Sequence, residues 1–566
     1  MKLPTALLLI ASGISSNLHL AVAQSADTGR VLDSVQPRPS TANPQTAPEV
    51  LQKANPQTVP TLPDAMQQID VREFRIEGFS SLSQARLQQA VATLAGRSMT
   101  PPQMQQAADA VTQIYRDAGY PLVQALVLPQ SINNGVVVIT VREDQLSSVE
   151  VNSKQAPALV QSGISSALAQ QKALNTGELE QALLLINNLP GRGRASAEII
   201  APAQGNASKV SLQYAPAPKI QGSVTLDSAG NRFTGRARVL GQLVVNDPFG
   251  AADQLSLTLL GTDSPLIYAQ GAYRFPLTPR VALGASISQL DYKLCCQAST
   301  VTSKGTAQSF GLDATYQLSL NRASSSAIYA NLDSRRLSNE RNGVKETQRQ
   351  VDALGVGLRG YSSQTALRSW SVALRGGRTD LNGNAIDLVQ NATSDVQGTF
   401  SKVSASFYQS QSLNPALSWQ FQSRGQLNLG RNLEGSERFA LGGADGIRAY
   451  PSGEAVGDSG WLVSAELRYA IAAMPGLSLA TFVDAGGVRR YSKNANALLV
   501  LMNQPSNRYT LAGAGLGLRY DSAKVSLTLQ VAKPIGSNRG ADAAGNNNEG
   551  RRDGQLQAWL SAAWKF

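Results

Sequence analysis

The chain closes on QLQAWLSAAWKF (555–566), and the reading of that stretch decides the fold. Successive side chains of a strand point to opposite faces. Leu556, Ala558, Leu560, Ala562, Trp564 and Phe566 therefore share one face, while Gln555, Gln557, Ser561 and Lys565 share the other. One face suits lipid and the other a polar interior, as in a strand of a membrane-spanning barrel.

Working back from the end, the same pattern recurs. VALGASISQLDY (281–292), SWSVALRGGR (369–378), LSWQFQSRGQLNL (417–429), WLVSAELRYAI (461–471) and TLAGAGLGLRY (510–520) are the clearest cases. Between Ile220 and Phe566 the sequence holds sixteen candidate strands of roughly 9–13 residues, the length that crosses a bilayer at a tilt. Short connections such as Asn414-Pro415-Ala416 and Pro475-Gly476 alternate with long ones at 379–398, 430–460 and 491–509. A soluble β-sandwich gives no reason for loops lengthened at one end only. The expectation is a 16-stranded antiparallel transmembrane β-barrel over residues 219–566.

Upstream of the barrel the period changes. VREFRI (71–76) reads as a strand. Ser83 is a candidate cap for a helix carrying Leu87, Val91 and Leu94, and Thr100-Pro101 opens a second helix through Met104, Val111 and Tyr115. LVQALVL (122–128) and GVVVITV (135–141) follow as paired strands. The order repeats with SSVEV (147–151), a helix over 157–170, a helix capped by Thr176, and strands ASAEII (195–200) and KVSLQY (209–214). Two successive units with one element order, 70–145 and 146–218, suggest a tandem repeat of small α/β modules. Residues 38–69 hold Pro39, Pro44, Pro48, Pro56, Pro60 and Pro63 and read as an extended linker. The segment before it, 24–37, has room for one or two helical turns, which alone in water would be marginal.

The first residues set the compartment. Lys2, the apolar run Leu7 to Ile10 and Ala21-Val22-Ala23 make a cleavable signal peptide over 1–23. Its apolar core is too short for a membrane span. The formal charge of +11 is dispersed without a block of like charge, which argues for lumen and loop residues and against nucleic acid. The adjacent Cys295 and Cys296 match neither a disulfide framework nor a metal motif. The one histidine, His19, lies inside the signal. The mature chain thus has no imidazole for zinc or for general base work, so no metal, no cofactor and no enzymatic activity are expected. No G-x-x-x-x-G-K-[ST] loop is present to cradle a nucleotide.

Two places in the barrel stand out. FALGGADGIRAYPSGE (439–454) lies in the long loop 430–460, where Gly442, Gly443 and Gly446 let the backbone fold tightly beside Ile447, Arg448 and Tyr450. TFVDAGG (481–487) falls on the thirteenth strand, where Phe482, Asp484 and Gly486 share a face. Val483 and Ala485 suit lipid, so Asp484 faces the lumen, since a carboxylate in hydrocarbon is costly.

With these residues in place, the sequence resembles the two-partner secretion transporters (TpsB proteins, ShlB/FhaC/HecB type), outer-membrane barrels with periplasmic POTRA domains. The likeness spans nearly the whole mature chain and includes LLINNLPG (184–191) and LDSAGNRFTG (226–235). The family's loop motif V-R-G-Y appears as Ile447-Arg448-Ala449-Tyr450, with Ala449 in place of Gly, and its F-x-D-x-G motif is intact at Phe482, Asp484 and Gly486. The resemblance implies that 24–37 forms a plug helix, that 70–145 and 146–218 are POTRA 1 and POTRA 2, and that Arg448 at the loop tip pairs with Asp484 on the wall. It implies that Phe566 serves in the insertion signal. The partners it implies are a secreted TpsA-type exoprotein (a β-helical adhesin, haemolysin or contact-dependent toxin), outer-membrane lipid, and the barrel-assembly machinery during biogenesis. The rival within the same superfamily is an outer-membrane protein assembly factor, which usually carries more POTRA units. A passive porin would lack the periplasmic portion.

Overall fold

A computed structural model describes residues 27–36, 50–53, 68–143, 145–151, 156–168, 173–191, 193–200, 207–294, 302–501, 504–542 and 544–566. The expected signal peptide, most of the expected linker, and Cys295 with Cys296 lie outside the described residues. Among those described, no helix is long and apolar enough to cross a membrane.

The barrel is closed and antiparallel, with sixteen strands in sequence order from Ile220–Asp227 to Gln557–Lys565. First and last strands pair from Ser223 opposite Lys565 to Asp227 opposite Ser561, so no strand edge is left open. Period-two alternation sorts the side chains as the sequence requires. Leu560, Trp564 and Phe566 are exposed on the outer wall, while Trp559 is buried inside. On Val344–Ser362, Val351 and Ala353 point in and Leu354, Val356 and Leu358 point out. Strands are longer than expected on one side: Ser303–Leu320, Ser324–Arg341 and Val344–Ser362 reach 18, 18 and 19 residues. Their extra turns of ladder carry polar outward residues such as Gln308, Arg336 and Gln350, so the hairpins continue past the apolar band. Two of the long connections hold short helices, Ala385–Ser394 and Ala495–Leu501.

Both α/β units contain the expected strand, two helices and two strands, and the first adds a short strand, Arg97–Met99, between its helices. In the first, Glu73–Glu77 pairs in parallel with Val136–Arg142, which pairs with Gln124–Leu126. Helices Gln84–Val91 and Pro101–Asp117 cover the sheet through Leu87, Val91, Met104, Val111 and Tyr115. VREFRI is not one strand. Arg72 interrupts it, and Ile69–Val71 pairs instead with Arg97–Met99, because the Arg72 amide turns to donate to the carbonyl of Gly135. In the second unit helices Ala158–Leu168 and Thr176–Asn187 pack on Arg194–Ile200, Ala207–Ala215 and Gln145–Val151. Its second helix is capped by Asn175 rather than Thr176: the Asn175 carbonyl oxygen accepts from the amides of Gly177 and Glu178. Thr176 is drawn away to the first unit, donating to the Gly119 carbonyl from both its amide (2.9 Å) and its hydroxyl (3.1 Å).

The same helix also meets the barrel. Glu180 pairs with Arg322 in a barrel turn. Just past the helix, the Gly191 amide donates to Ala252 at 2.7 Å, and Gln254 donates to the Pro190 carbonyl at 2.9 Å. The second unit therefore stacks against the end with the short turns, opposite the long loops. At the foot of the first unit, burial pushes the Glu143 carboxyl up. Hydrogen bonds from Ser80, Ser81 and Tyr115 outweigh that and hold it below the usual carboxylate range.

Candidate functional site

The lumen is occupied by two elements, and the second of them carries the predicted loop residues. The first is the helix Thr28–Val35, within the segment expected to form a helix. Asp27 caps it by accepting from the Gly29 amide at 2.9 Å. Val31, Leu32 and Val35 pack on inward-facing Leu260, Leu266, Tyr268, Leu290, Tyr292 and Leu337. The Thr28 hydroxyl donates to the Ser338 carbonyl at 2.9 Å. A helix this short cannot hold itself together in water; the barrel wall gives it its apolar surface.

The second element is the loop between strands Leu417–Asn428 and Ser459–Ala470. It folds inward, since Leu441, Ile447, Arg448, Ala449, Tyr450 and Glu454 are all buried. A short pairing of Phe439–Ala440 with Val456–Gly457 forms its stem. Three glycines make room for this fold. Gly443 sits at φ +129°, and a Cβ at Gly442 or Gly446 would strike the carbonyls of Pro451 or Leu441.

At the tip, Arg448 meets Asp484. Its Nε and Nη2 donate to the two carboxylate oxygens at 2.9 and 2.8 Å, and its backbone amide adds a third bond at 3.0 Å. Both side chains are nearly or fully buried, at 7% and 0% exposure. A bidentate guanidinium–carboxylate pair is among the strongest charge-assisted arrangements and fixes geometry as well as energy. The guanidinium also lies 3.3 Å from the centroid of the Phe482 ring, so the F-x-D spacing supplies both a stacking face and a counter-charge.

Four further partners were not read from the sequence. Glu466 accepts from Arg448 Nη1 at 2.5 Å and is shared with Arg468. Ser464 bridges, accepting from Arg448 at 3.1 Å and donating to Asp484 at 2.7 Å. The available signal was register: Ser464 lies opposite Asp484, and Glu466 opposite Phe482, on neighbouring strands. Trp559, the one aromatic on the polar face of the last strand, donates to the Arg448 carbonyl at 2.8 Å.

Close approach explains two of the three glycines of strand Arg508–Asp521. A Cβ at Gly513 would lie 2.3 Å from the Ala449 methyl, and one at Gly515 would lie 2.4 Å from the Phe482 ring. The departure at Ala449 is accommodated because the wall opposite it is bare. Gly486 is likewise close, to Leu441 and Ile447.

The base of the loop holds a second cluster that sequence reading did not find. Glu437, at 2% exposure, takes Arg335 at 3.1 Å, Arg375 at 2.8 Å and Lys402 at 2.8 Å. The helical turn Gly435–Glu437 that carries it packs directly on the lumen helix, where Gly29 abuts Glu434 and Ser436. The two elements in the lumen therefore touch. Among the described residues, no group of His, Cys, Asp and Glu side chains is arranged to hold a metal ion. The predicted terminal Phe566 is half exposed on the outer wall, its ring 5.0 Å from that of Trp564.

Comparison with known proteins gives the arrangement a family. The haemolysin secretion/activation protein ShlB/FhaC/HecB family matches residues 206–520, and the ShlB-type POTRA domain matches residues 69–144. The heme/hemopexin transporter protein HuxB of Haemophilus influenzae is 23% identical over 458 residues, covering 78% of this chain and 79% of its own. The outer membrane transporter CdiB of Escherichia coli is 23% identical over 505 residues, covering 86% and 83%. In three dimensions the chain resembles CdiB from Escherichia coli, with a TM-score of 0.69 at 21% identity over 90% of this chain and 93% of that one. BamA from Haemophilus ducreyi lacking POTRA domains 1–3 shares the fold more distantly, with a TM-score of 0.51 at 14% identity, covering 88% of this chain and 100% of that one. With the family model matching more than half of its length, the chain belongs to the haemolysin secretion/activation protein ShlB/FhaC/HecB family, the outer-membrane transporters of two-partner secretion.

Proposed function

We propose that this transporter captures a large secreted β-helical exoprotein through its POTRA units in the periplasm and passes it, unfolded, through the barrel. The observation that carries this reading is how the lumen is filled. Helix and loop are held in the lumen by side-chain packing and ion pairs, apart from the loop's own short stem, and no strand pairing ties either of them to the wall. Such contacts can be exchanged without opening the barrel. Below them, toward the second unit, lies a cavity of about 1230 Å³ lined by Asn188, Gln254, Arg274, Arg359, Tyr361 and Glu466. Its polar and aromatic lining suits an extended chain with mixed side chains. Without a nucleotide-binding loop, folding of the exoprotein at the surface is the driving force that remains.

In this reading Arg448–Asp484 holds the loop in its resting position and Phe566 belongs to the signal by which the barrel-assembly machinery inserts the chain. The test is secretion of the candidate exoprotein by cells with and without the transporter, with Arg448→Ala alongside. Retention of the exoprotein in the periplasm without the transporter, and impaired secretion by an Arg448→Ala barrel that still inserts, are expected. Normal secretion accompanied by failure of other barrels to insert would replace this reading with the assembly factor.

A further inference from the structure

The outer wall of the barrel carries a set of cations that no carboxylate answers. Strand Leu477–Arg489 rises to the end with the long loops and strand Arg508–Asp521 descends from it. Their last and first residues, Arg489 and Arg508, lie directly opposite each other. Val483, Leu516 and Leu518 are exposed to the outside, so alternation places both arginines on the outer wall. Arg539, in the loop after strand Val525–Ile535, borders the same hollow. Arg489 donates from Nη2 to the Ser492 carbonyl at 3.0 Å, and its Nε is buried without a partner. Among the described residues, none of the three arginines enters an ion pair. Like charges directly opposite each other on neighbouring strands destabilise a sheet. Two other cations at this end of the outer wall are matched instead: Lys304 meets Glu340 at 3.0 Å, and Arg378 meets Asp380 at 3.9 Å.

Beneath the arginines the wall is hollowed. The next outward row toward the membrane reads Gly425, Trp461, Gly487 and Thr510 across four strands. A Cβ at Gly487 would lie 2.8 Å from Trp461 Nε1, so the glycine lets the indole lie across its strand. The hollow measures about 690 Å³, with Leu427, Trp461 and Thr510 in its lining and the three arginines at its rim. Below it the apolar band continues through Val483, Leu516 and Leu518. A tryptophan at the upper limit of that band marks the membrane interface.

We propose that this hollow binds lipid A, the phosphorylated glycolipid of the outer leaflet, with its phosphates on Arg489, Arg508 and Arg539 and an acyl chain beside Trp461. The leaflet at the long-loop end is the one that contains this lipid, and its two phosphates sit on a sugar head above several acyl chains. A guanidinium takes a phosphate through parallel hydrogen bonds, which a compact ammonium does not offer. A phosphate shared by Arg489 and Arg508 replaces their mutual repulsion with a common counter-charge. A basic pocket above an apolar surface is the arrangement that recognises an anionic lipid head group. This site is independent of how the lumen is used.

The test uses the full chain in dodecyl maltoside, with bisphosphorylated hexa-acyl lipid A as the probe and native mass spectrometry to count bound lipid. Each arginine contributes about fivefold in affinity, so Arg489→Gln, Arg508→Gln and Arg539→Gln together should weaken binding about a hundredfold. Monophosphoryl lipid A should bind the unaltered chain more weakly than the bisphosphorylated form. Equal binding by the unaltered and triply substituted chains would overturn the site. Phosphatidylglycerol binding as tightly as lipid A would overturn the assignment to lipid A. Thermal unfolding in the same micelles separates binding from folding. Lipid A should raise the unfolding temperature of the unaltered chain and leave that of the triple variant unchanged, and an equal rise in both would overturn the proposal. If the triple variant does not fold, Arg508→Gln alone decides. It should weaken lipid A about fivefold, and undiminished binding would overturn the proposal.

Discussion

The two ends of the folded-in loop are held by opposite arrangements of charge. At the tip, the cation Arg448 enters a wall that offers the carboxylates Asp484 and Glu466, with Arg468 balancing the second. At the base, one carboxylate, Glu437, enters a wall that offers Arg335, Arg375 and Lys402, with only Asp333 to balance them. The tip is a neutral set of two cations and two anions, whereas the base has three cations and two anions. Removing the loop's own charge therefore leaves one unpaired carboxylate, Asp484, at the tip and three mutually repelling cations around the single carboxylate Asp333 at the base. The base also carries the turn on which the lumen helix rests, so its failure loosens both occupants of the lumen.

The largest effect is accordingly expected from Glu437→Ala. Breaking a buried pair by removing one partner costs about 3–5 kcal/mol, and here the stranded charges are three cations. Channel openings in planar bilayers should become frequent, and protease should cut the loop in the folded barrel. If Arg448→Ala opens the channel as much or more, the contrast between the two ends is wrong.

Arg448→Ala should come second, at the lower end of that range of about 3–5 kcal/mol, because Arg468 still neutralises Glu466. Arg448→Lys sharpens the point. It keeps the charge but loses the forked pairing to Asp484 and the stacking on Phe482, so it should recover only part of the loss. Full recovery in protease protection would show that charge alone holds the tip. The smallest effect is expected at the bare wall opposite Ala449. Gly513→Ala brings a methyl against the Ala449 methyl and should cost about 1–3 kcal/mol as overpacking. Ala449→Gly in the same chain should restore loop protection. Failure of that rescue would mean that Gly513 serves the strand and not the tip.

The two clusters also differ in how far they could be read in advance. The tip was legible because its residues come in short motifs: a glycine-rich loop with a central Arg-Ala-Tyr, and Phe-Val-Asp-Ala-Gly on a strand whose alternation allows only one inward face. Ser464, Glu466 and Trp559 escaped notice because they join through register, and register between strands is not written in either strand alone. The base was not legible at all. Arg335, Arg375 and Lys402 sit on three different strands and converge on a glutamate that looks like any other polar loop residue. The linker strand Val50–Lys53, which pairs with Arg194–Ile200, was hidden for a similar reason, since four residues among prolines carry no period and gain structure only from the edge beside them.

The sequence by itself determined the number of barrel strands, which face of each meets lipid and the two α/β units, whereas the Arg448–Asp484 pair came only from the resemblance to a family. The first three rest on local periodicity or short motifs, which every few residues of chain impose independently. Only the tertiary structure decided that the helix Thr28–Val35 lies in the lumen, that Glu437 anchors the loop base, that Asn175 and not Thr176 caps its helix, and that the linker closes the second sheet. Each of those depends on groups far apart in the chain whose burial makes an unpaired charge or backbone group costly. The partner that removes the cost is chosen by proximity in the folded molecule and not by position in the sequence.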